Sequence, residues 1–290
     1  MAKQHRTVVN DIEIAWVEWG TKGDPLILLA HATGFHSRCW DQTVSHLDAY
    51  HVIALDFRGH GRSDNSPPFT WSQFGADLTS LIVALDLSDI RGVGHSMGGH
   101  CMVQAAVAEP DRFRQLTLLD PVILEPSVYA AGPVMAGIEH PVARRRNEWD
   151  SPQHMIDTFK DRAPFSGWHP EVLRDYCLHG LIHDGDTYRL ACPPEIEAGI
   201  YASSVDANIL DRIPDIEVPV TVVRAKSRGI KAALEDFSLS PTWPELAGQF
   251  VLGQDMYLPE FSHFMPMESP AQTASVIEGT YDLAAFNDIG

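Results

Sequence analysis

Between residues 6 and 19 apolar and polar positions alternate, with Val8, Ile12, Ile14 and Trp16 set against polar neighbours and Asn10-Asp11 between them. A period of two is that of a strand with one buried face, and the polar pair inside it predicts the turn of an antiparallel hairpin at a sheet edge. Beyond the hairpin the alternation gives way to continuous apolar runs. Pro25 to Ala30 is the first, and such runs suit strands covered on both faces. Further runs lie at 51–56, 89–94, 115–120 and 217–225, with a last one near 255–259, and helical patterns such as Trp71 to Leu87 separate them. Strands alternating with helices predict an α/β fold with a doubly wound, mostly parallel sheet.

The alternation stops between residues 122 and 212. Strand signals thin out there, and prolines at 126, 133, 141, 152, 164, 170, 193 and 194 divide the segment into short helical stretches carrying Tyr129, Trp149, Phe159, Trp168, Tyr176 and Tyr201. A proline is tolerated in the first turn of a helix and breaks its interior, so the segment reads as several short helices inserted after the sixth strand. The expected organisation is one core built from residues 1–121 and 213–290, with a helical cap at 122–212 lying over the carboxyl end of the sheet. Most of its aromatic residues are expected to pack within the cap, and one or two to face the cleft.

The chemistry centres on Gly94-His95-Ser96-Met97-Gly98, which follows the strand-like run ending at Val93 and precedes a helical run, Met97 to Ala108. A serine hydroxyl is a weak nucleophile at neutral pH, and a sharp strand-to-helix turn between glycines exposes its oxygen for use. Its proton needs an acceptor suited to neutral pH, and the imidazole of His263, in a loop after the last strand, is the candidate. The run His31-Ala32-Thr33-Gly34-Phe35-His36, directly after the first buried strand, stands where an oxyanion-binding loop belongs, and Asp56 to Asp64 forms a glycine-punctuated turn with paired charges.

Taken in order, the loop at His31, the turn at Asp56–Asp64, the Ser96 elbow and His263 resemble the α/β-hydrolase family over nearly the whole chain. The resemblance implies a serine nucleophile at Ser96, a proton shuttle at His263, and an oxyanion hole formed by the amides of Met97 and Thr33, with Gly34 as the alternative donor. The family commonly has glycine where this chain has Ala32. The acid of the triad is left open, because Ala225-Lys226-Ser227-Arg228-Gly229 holds no carboxylate where relatives usually carry an aspartate. Asp236 is one candidate, with Ser240 to Leu246 expected as the helix after it; Asp120, at the end of the strand Leu116–Leu119, is the other, and Glu235 is a third. Asp56, Arg58 and Asp64 read as structural partners within their turn.

Composition narrows the function. The 290 residues carry a net charge of −18, which disfavours nucleic acid as a partner. The basic run Arg144-Arg145-Arg146 reads as a solvated face beside Glu148 and Asp150. Cys39, Cys101, Cys177 and Cys192 show neither metal nor disulfide spacing and are expected as buried thiols. No dinucleotide fingerprint follows the first strand, and no His, Asp and Cys cluster has zinc spacing, so neither cofactor nor metal is expected. With no apolar stretch at the start and no run long enough for a membrane span, a cytoplasmic enzyme is expected. The expected partner is a small-molecule, ester-like substrate, neutral or apolar and small to medium in size. Other expectations for the same triad are a cofactor-free lyase, a perhydrolase, a carbon–carbon bond hydrolase, or a ligand-binding protein on this scaffold. Serine at position 96 argues against the branch that needs a carboxylate nucleophile.

Overall fold

The computed structural model describes residues 2–132, 140–227 and 238–282. The predicted hairpin is formed by β1 (Lys3–Val9) and β2 (Ile12–Trp19), with Asn10 and Asp11 in the left-handed region at the turn. The buried runs become β3 (Leu26–Ala30), β4 (His51–Leu55), β5 (Ile90–His95) and β6 (Phe113–Leu119). Within the segment 122–212 lie the short strands β7 (Glu148–Trp149), β8 (Leu181–Asp184) and β9 (Thr187–Leu190), and the main sheet closes with β10 (Val220–Arg224) and β11 (Gly253–Tyr257).

The main sheet has eight strands in the order β1-β2-β4-β3-β5-β6-β10-β11, antiparallel at β1/β2 and β2/β4 and parallel elsewhere. Each central strand feeds two cores. In β3, Leu28 and Ala30 join one apolar cluster with Phe74, Leu78 and Met102, while Ile27 and Leu29 join another with Trp40, Met265 and Ile277. Alternate side chains of a strand point to opposite faces, so a continuous apolar run is what a sheet covered on both sides requires. At β3 the strand order reverses, with β4 on one side and β5 on the other. The crevice beyond the carboxyl ends at such a reversal is where open α/β sheets place their ligands.

The segment from 122 to 212 is mainly helical, with helices Pro126–Ala131, Pro152–Phe159, Pro170–His179 and Pro194–Ala202. Each begins on a proline, as the breaker pattern predicts. Not anticipated is the three-stranded antiparallel sheet β7-β9-β8 among them. Its strands are two to four residues long, too short for an alternating pattern to register. Trp149, Trp168 and Tyr176 form a third apolar cluster with Phe35 and Phe264, which lie outside the segment, and Phe159 packs against it. Among the described residues no helix is long and apolar enough to cross a membrane. All four cysteines are free and buried.

Candidate functional site

Ser96 lies between the end of β5 and helix Met97–Ala108, and its backbone sits at φ 55°, ψ −118°, a region that side chains rarely adopt. The flanking glycines explain how the turn is tolerated. A β-carbon at Gly94 would stand 2.4 Å from the Gly98 carbonyl oxygen, and one at Gly98 would stand 2.2 Å from that of Ala30. Any other residue at either place would push the helix off the sheet. The strained turn thus holds the hydroxyl above the carboxyl end of the strands, in one conformation.

Three side chains from three separate loops meet there. Ser96 Oγ lies 3.0 Å from Nε2 of His263, and the Nδ1 of the same ring lies 2.6 Å from Asp120 Oδ2. Asp120 follows β6 and, like Ser96, has positive φ, at 45°. Its other oxygen accepts the Ala225 amide at 3.0 Å, the Ser240 hydroxyl at 2.5 Å and the Thr242 hydroxyl at 3.1 Å. Burial pushes the Asp120 carboxyl up, but the bond and charge of His263, with the Ser240 and Ala225 donors, outweigh it and hold the group below the usual carboxylate value. At neutral pH the carboxyl is therefore ionised. Asp236, the other candidate, and Glu235 lie outside the described residues.

Ser240 and Thr242 were not legible as partners of the acid. They lie more than a hundred positions beyond it, and the expected helix from Ser240 to Leu246 does not form. Ser240 instead bridges to Ser227, and only a short 3₁₀ turn, Leu246–Gln249, follows. Pro241 and Pro244 lack amide hydrogens, and the Ser240 and Thr242 hydroxyls are drawn to Asp120, so a helix there would lose both ladder and side-chain bonds.

The loop after β3 brings Thr33 beside Met97, the Thr33 hydroxyl contacting the Met97 sulfur at 3.3 Å. Both residues are buried. Met97 opens its helix, where an amide has no intrahelical acceptor, and neither its amide nor that of Thr33 makes a hydrogen bond among the described residues. The Gly34 amide, by contrast, donates to His60 Nε2 at 3.1 Å and is already spent. Ala32 is accommodated, buried, at the start of the turn closed by the Phe35 amide on its carbonyl.

The charged turn behaves as expected. Arg58 grips Asp77 through two nitrogens at 2.5 and 2.9 Å, Asp56 accepts the Ser37 and Arg62 amides at 2.6 and 2.8 Å, and Asp64 accepts that of Glu13 at 2.8 Å. The reading of Arg144–Arg146 needs correction. Arg146 is solvated near Asp150, but Arg145 turns inward, 2.6 Å from Glu197 and 2.9 Å from the Tyr176 hydroxyl. Helix Pro194–Ala202 offers it a carboxylate that is nearly out of solvent, and a buried carboxylate needs a cation.

Beside Ser96 opens a cavity of about 140 Å³, walled largely by apolar groups that include Phe35, Trp71, Val122, Tyr201 and Phe264. Among the described residues, Tyr201 is the aromatic residue of the segment 122–212 that lines it.

A profile of the alpha/beta hydrolase family matches residues 27–280, from the first buried strand to just past helix Pro270–Glu278. The chain belongs to this family. Among curated relatives, lipase LipV of Mycobacterium tuberculosis is 27% identical over 274 residues, covering 92% of this chain and 97% of the lipase. The 2-(acetamidomethylene)succinate hydrolase of Mesorhizobium japonicum is also 27% identical, over 249 residues, covering 82% of this chain and 84% of that one. The crystal structure of E-2-(acetamidomethylene)succinate hydrolase superposes with a TM-score of 0.77 at 21% identity, covering 97% of this chain and 99% of that chain, which shows the shared alpha/beta hydrolase fold.

Proposed function

We propose that this alpha/beta hydrolase cleaves a carboxylic ester or related acyl bond through an acyl-enzyme on Ser96. The reading rests on one observation, the hydrogen-bonded line from Ser96 Oγ through His263 to Asp120 at 3.0 and 2.6 Å. Ser96 Oγ attacks the acyl carbonyl while its proton passes to His263 Nε2. The negative oxygen of the tetrahedral intermediate is held by the Thr33 and Met97 amides, each such donor being worth about 3 kcal/mol in other hydrolases. The imidazolium then gives its proton to the leaving alcohol as the carbon–oxygen bond breaks. Water, deprotonated by the same imidazole, attacks the acyl-enzyme and releases the acid and free Ser96. Asp120 stays ionised throughout, holds the Nδ1 proton and stabilises the imidazolium. Residues 122–212 act as the cap, with Tyr201 in the wall of the acyl pocket.

An apolar cavity favours a neutral substrate. A second reading, in which an acceptor other than water opens the acyl-enzyme, draws on the 34% identity to the non-heme chloroperoxidase of Streptomyces lividans over 122 residues. The test is labelling with a fluorophosphonate. Wild type is expected to be labelled and Ser96→Ala not; an unlabelled wild type rejects an activated serine. Product analysis with ester and peroxide then separates the two readings.

A further inference from the structure

The loop that carries Thr33 borders two cavities. Ala32, Thr33 and Phe35 face the one at Ser96, whereas His36, Ser37 and Arg38 wall another, of about 430 Å³, which shares no lining residue with the first. Its far wall is the β1–β2 hairpin, including Arg6 and Trp16, and Arg62 and His179 complete it. A volume of that size falls in the range of small-molecule sites.

The unusual group here is Arg62. Arg6 and Arg38 have carboxylate partners, Glu13 at 2.8 Å and Asp41 at 2.5 Å. Among the described residues the Arg62 guanidinium donates only to main-chain oxygens, those of Leu181 at 2.8 Å and Gly61 at 3.4 Å, and no carboxylate lies within ion-pair distance of it. The acidic groups nearby are committed elsewhere. Both Asp56 oxygens accept backbone amides, and Asp41 and Asp175, which approach within 4.8 Å of His179, are taken by Arg38 and Gln42. His5, on the rim, pairs with Glu18 at 3.2 Å.

Arg6, Arg38 and Arg62 share the cavity wall with one carboxylate, Asp56. His179 is pushed down to about 4 by burial and then by Arg38, His36 and Arg62, against the opposing pull of Asp56. Burial likewise lowers His36, although Asp56 opposes it. Arg62 is itself pressed down by burial, with Asp56 opposing and Arg6 adding to the repulsion. A half-buried guanidinium with unspent donors and no carboxylate within ion-pair distance is complementary to an oxyanion. On one side of the cavity the Trp16 ring, among the lining residues, stacks on His5 at 4.2 Å.

We propose that this cavity is a second binding site, for a small organic anion whose carboxylate or phosphate pairs with Arg62 and whose apolar body lies beside Trp16. The probe is 4-iodobenzoate, followed by calorimetry and, in soaked crystals, by the anomalous signal of iodine. Wild type is expected to bind it with the iodine peak in the second cavity, and Arg62→Gln to bind about tenfold more weakly, roughly 1.4 kcal/mol. Because Arg62 also ties down Leu181, Arg6→Glu on the exposed hairpin provides a variant whose folding is not at stake; it too is expected to weaken binding several-fold. Displacement by inorganic phosphate extends the ligand class to phosphates, and its failure narrows the class to carboxylates; either supports the site. Equal affinity in wild type and both variants, an iodine peak only beside Ser96, or no binding of either probe at about 10 mM overturns it.

Discussion

His95 Nε2 lies 2.8 Å from the main-chain carbonyl of His263, so the residue before Ser96 holds the backbone of the histidine that Ser96 faces. The ring is fully buried, and burial followed by the neighbouring His263 pushes it down to about 3, so it is neutral at pH 7. A carbonyl can only accept, which places the single ring proton on Nε2; Nδ1 has no hydrogen-bond partner. The spacing between Ser96 and His263 is thus set by a bond between two segments that are distant in the chain.

His95→Phe keeps the ring and removes that donor. The buried His263 carbonyl is then left unsatisfied, and denaturant unfolding is expected to show a loss of about 1–3 kcal/mol. The rate of fluorophosphonate labelling at Ser96 should fall with it. Unchanged stability and labelling would show that the bond does not position His263.

For Asp120→Asn the side chain keeps its shape but disfavours the tautomer in which His263 Nε2 can accept the serine proton. Turnover is expected to drop by about 10⁴-fold at neutral pH, with the fold intact by circular dichroism. Since Asp120 already occupies Nδ1 of His263, Asp236→Ala should stay near wild type. The opposite ranking in ester turnover would move the acid to Asp236.

Acid should unfold this protein early. Burial holds His31, His60 and His95 down to about 3 and His100 to about 4, whereas in the unfolded chain each returns to 6.5. Between those values the unfolded state binds the extra protons, so stability falls as pH falls, by up to about 1.4 kcal/mol per pH unit for each ring. Asp120, held low, adds to the loss only below its ordinary 3.8, as pH approaches its lowered value. Against a total stability of about 5–15 kcal/mol, four such rings predict an unfolding midpoint above about pH 4. Circular dichroism from pH 7 to 3 checks this, and a native spectrum at pH 3 contradicts it.

Arg145→Met strands the Glu197 carboxylate, whose ordinary value burial already raises against the pull of Arg145. Removing one member of a buried pair costs about 3–5 kcal/mol, which thermal unfolding would register. Glu197 also packs against Gly34, where a β-carbon would meet its Oε1 at 2.4 Å. Gly34 adjoins Thr33, so ester turnover is expected to fall as well; a stable, fully active variant would dissociate the pair from the oxyanion loop.

The cavity of about 140 Å³ at Ser96 limits the acyl group. An engineered cavity of about 150 Å³ in another protein holds one benzene molecule, so groups of about six carbons fit here. In a series of p-nitrophenyl esters, kcat/KM should peak at short chains and fall for palmitate. A rising trend to long chains would refute the pocket assignment.

Much of this architecture was written in local pattern. The hairpin, the buried strands and the elbow are each dictated by neighbours within a few positions, through period, turn residues and the steric demand at Gly94 and Gly98, and these are quantities a linear chain displays. The candidate nucleophile and base, Ser96 and His263, were legible for the same reason, each embedded in its own short motif. What the chain could not display is which distant groups converge. The choice of Asp120, the service of Ser240 and Thr242 to it in place of a helix, the inward turn of Arg145 to Glu197 and the grip of His95 on His263 all join segments tens to more than a hundred residues apart. Such contacts depend on the order in which strands lie side by side, and that order exists only once the sheet has assembled and burial compels each charge and hydroxyl to find a partner.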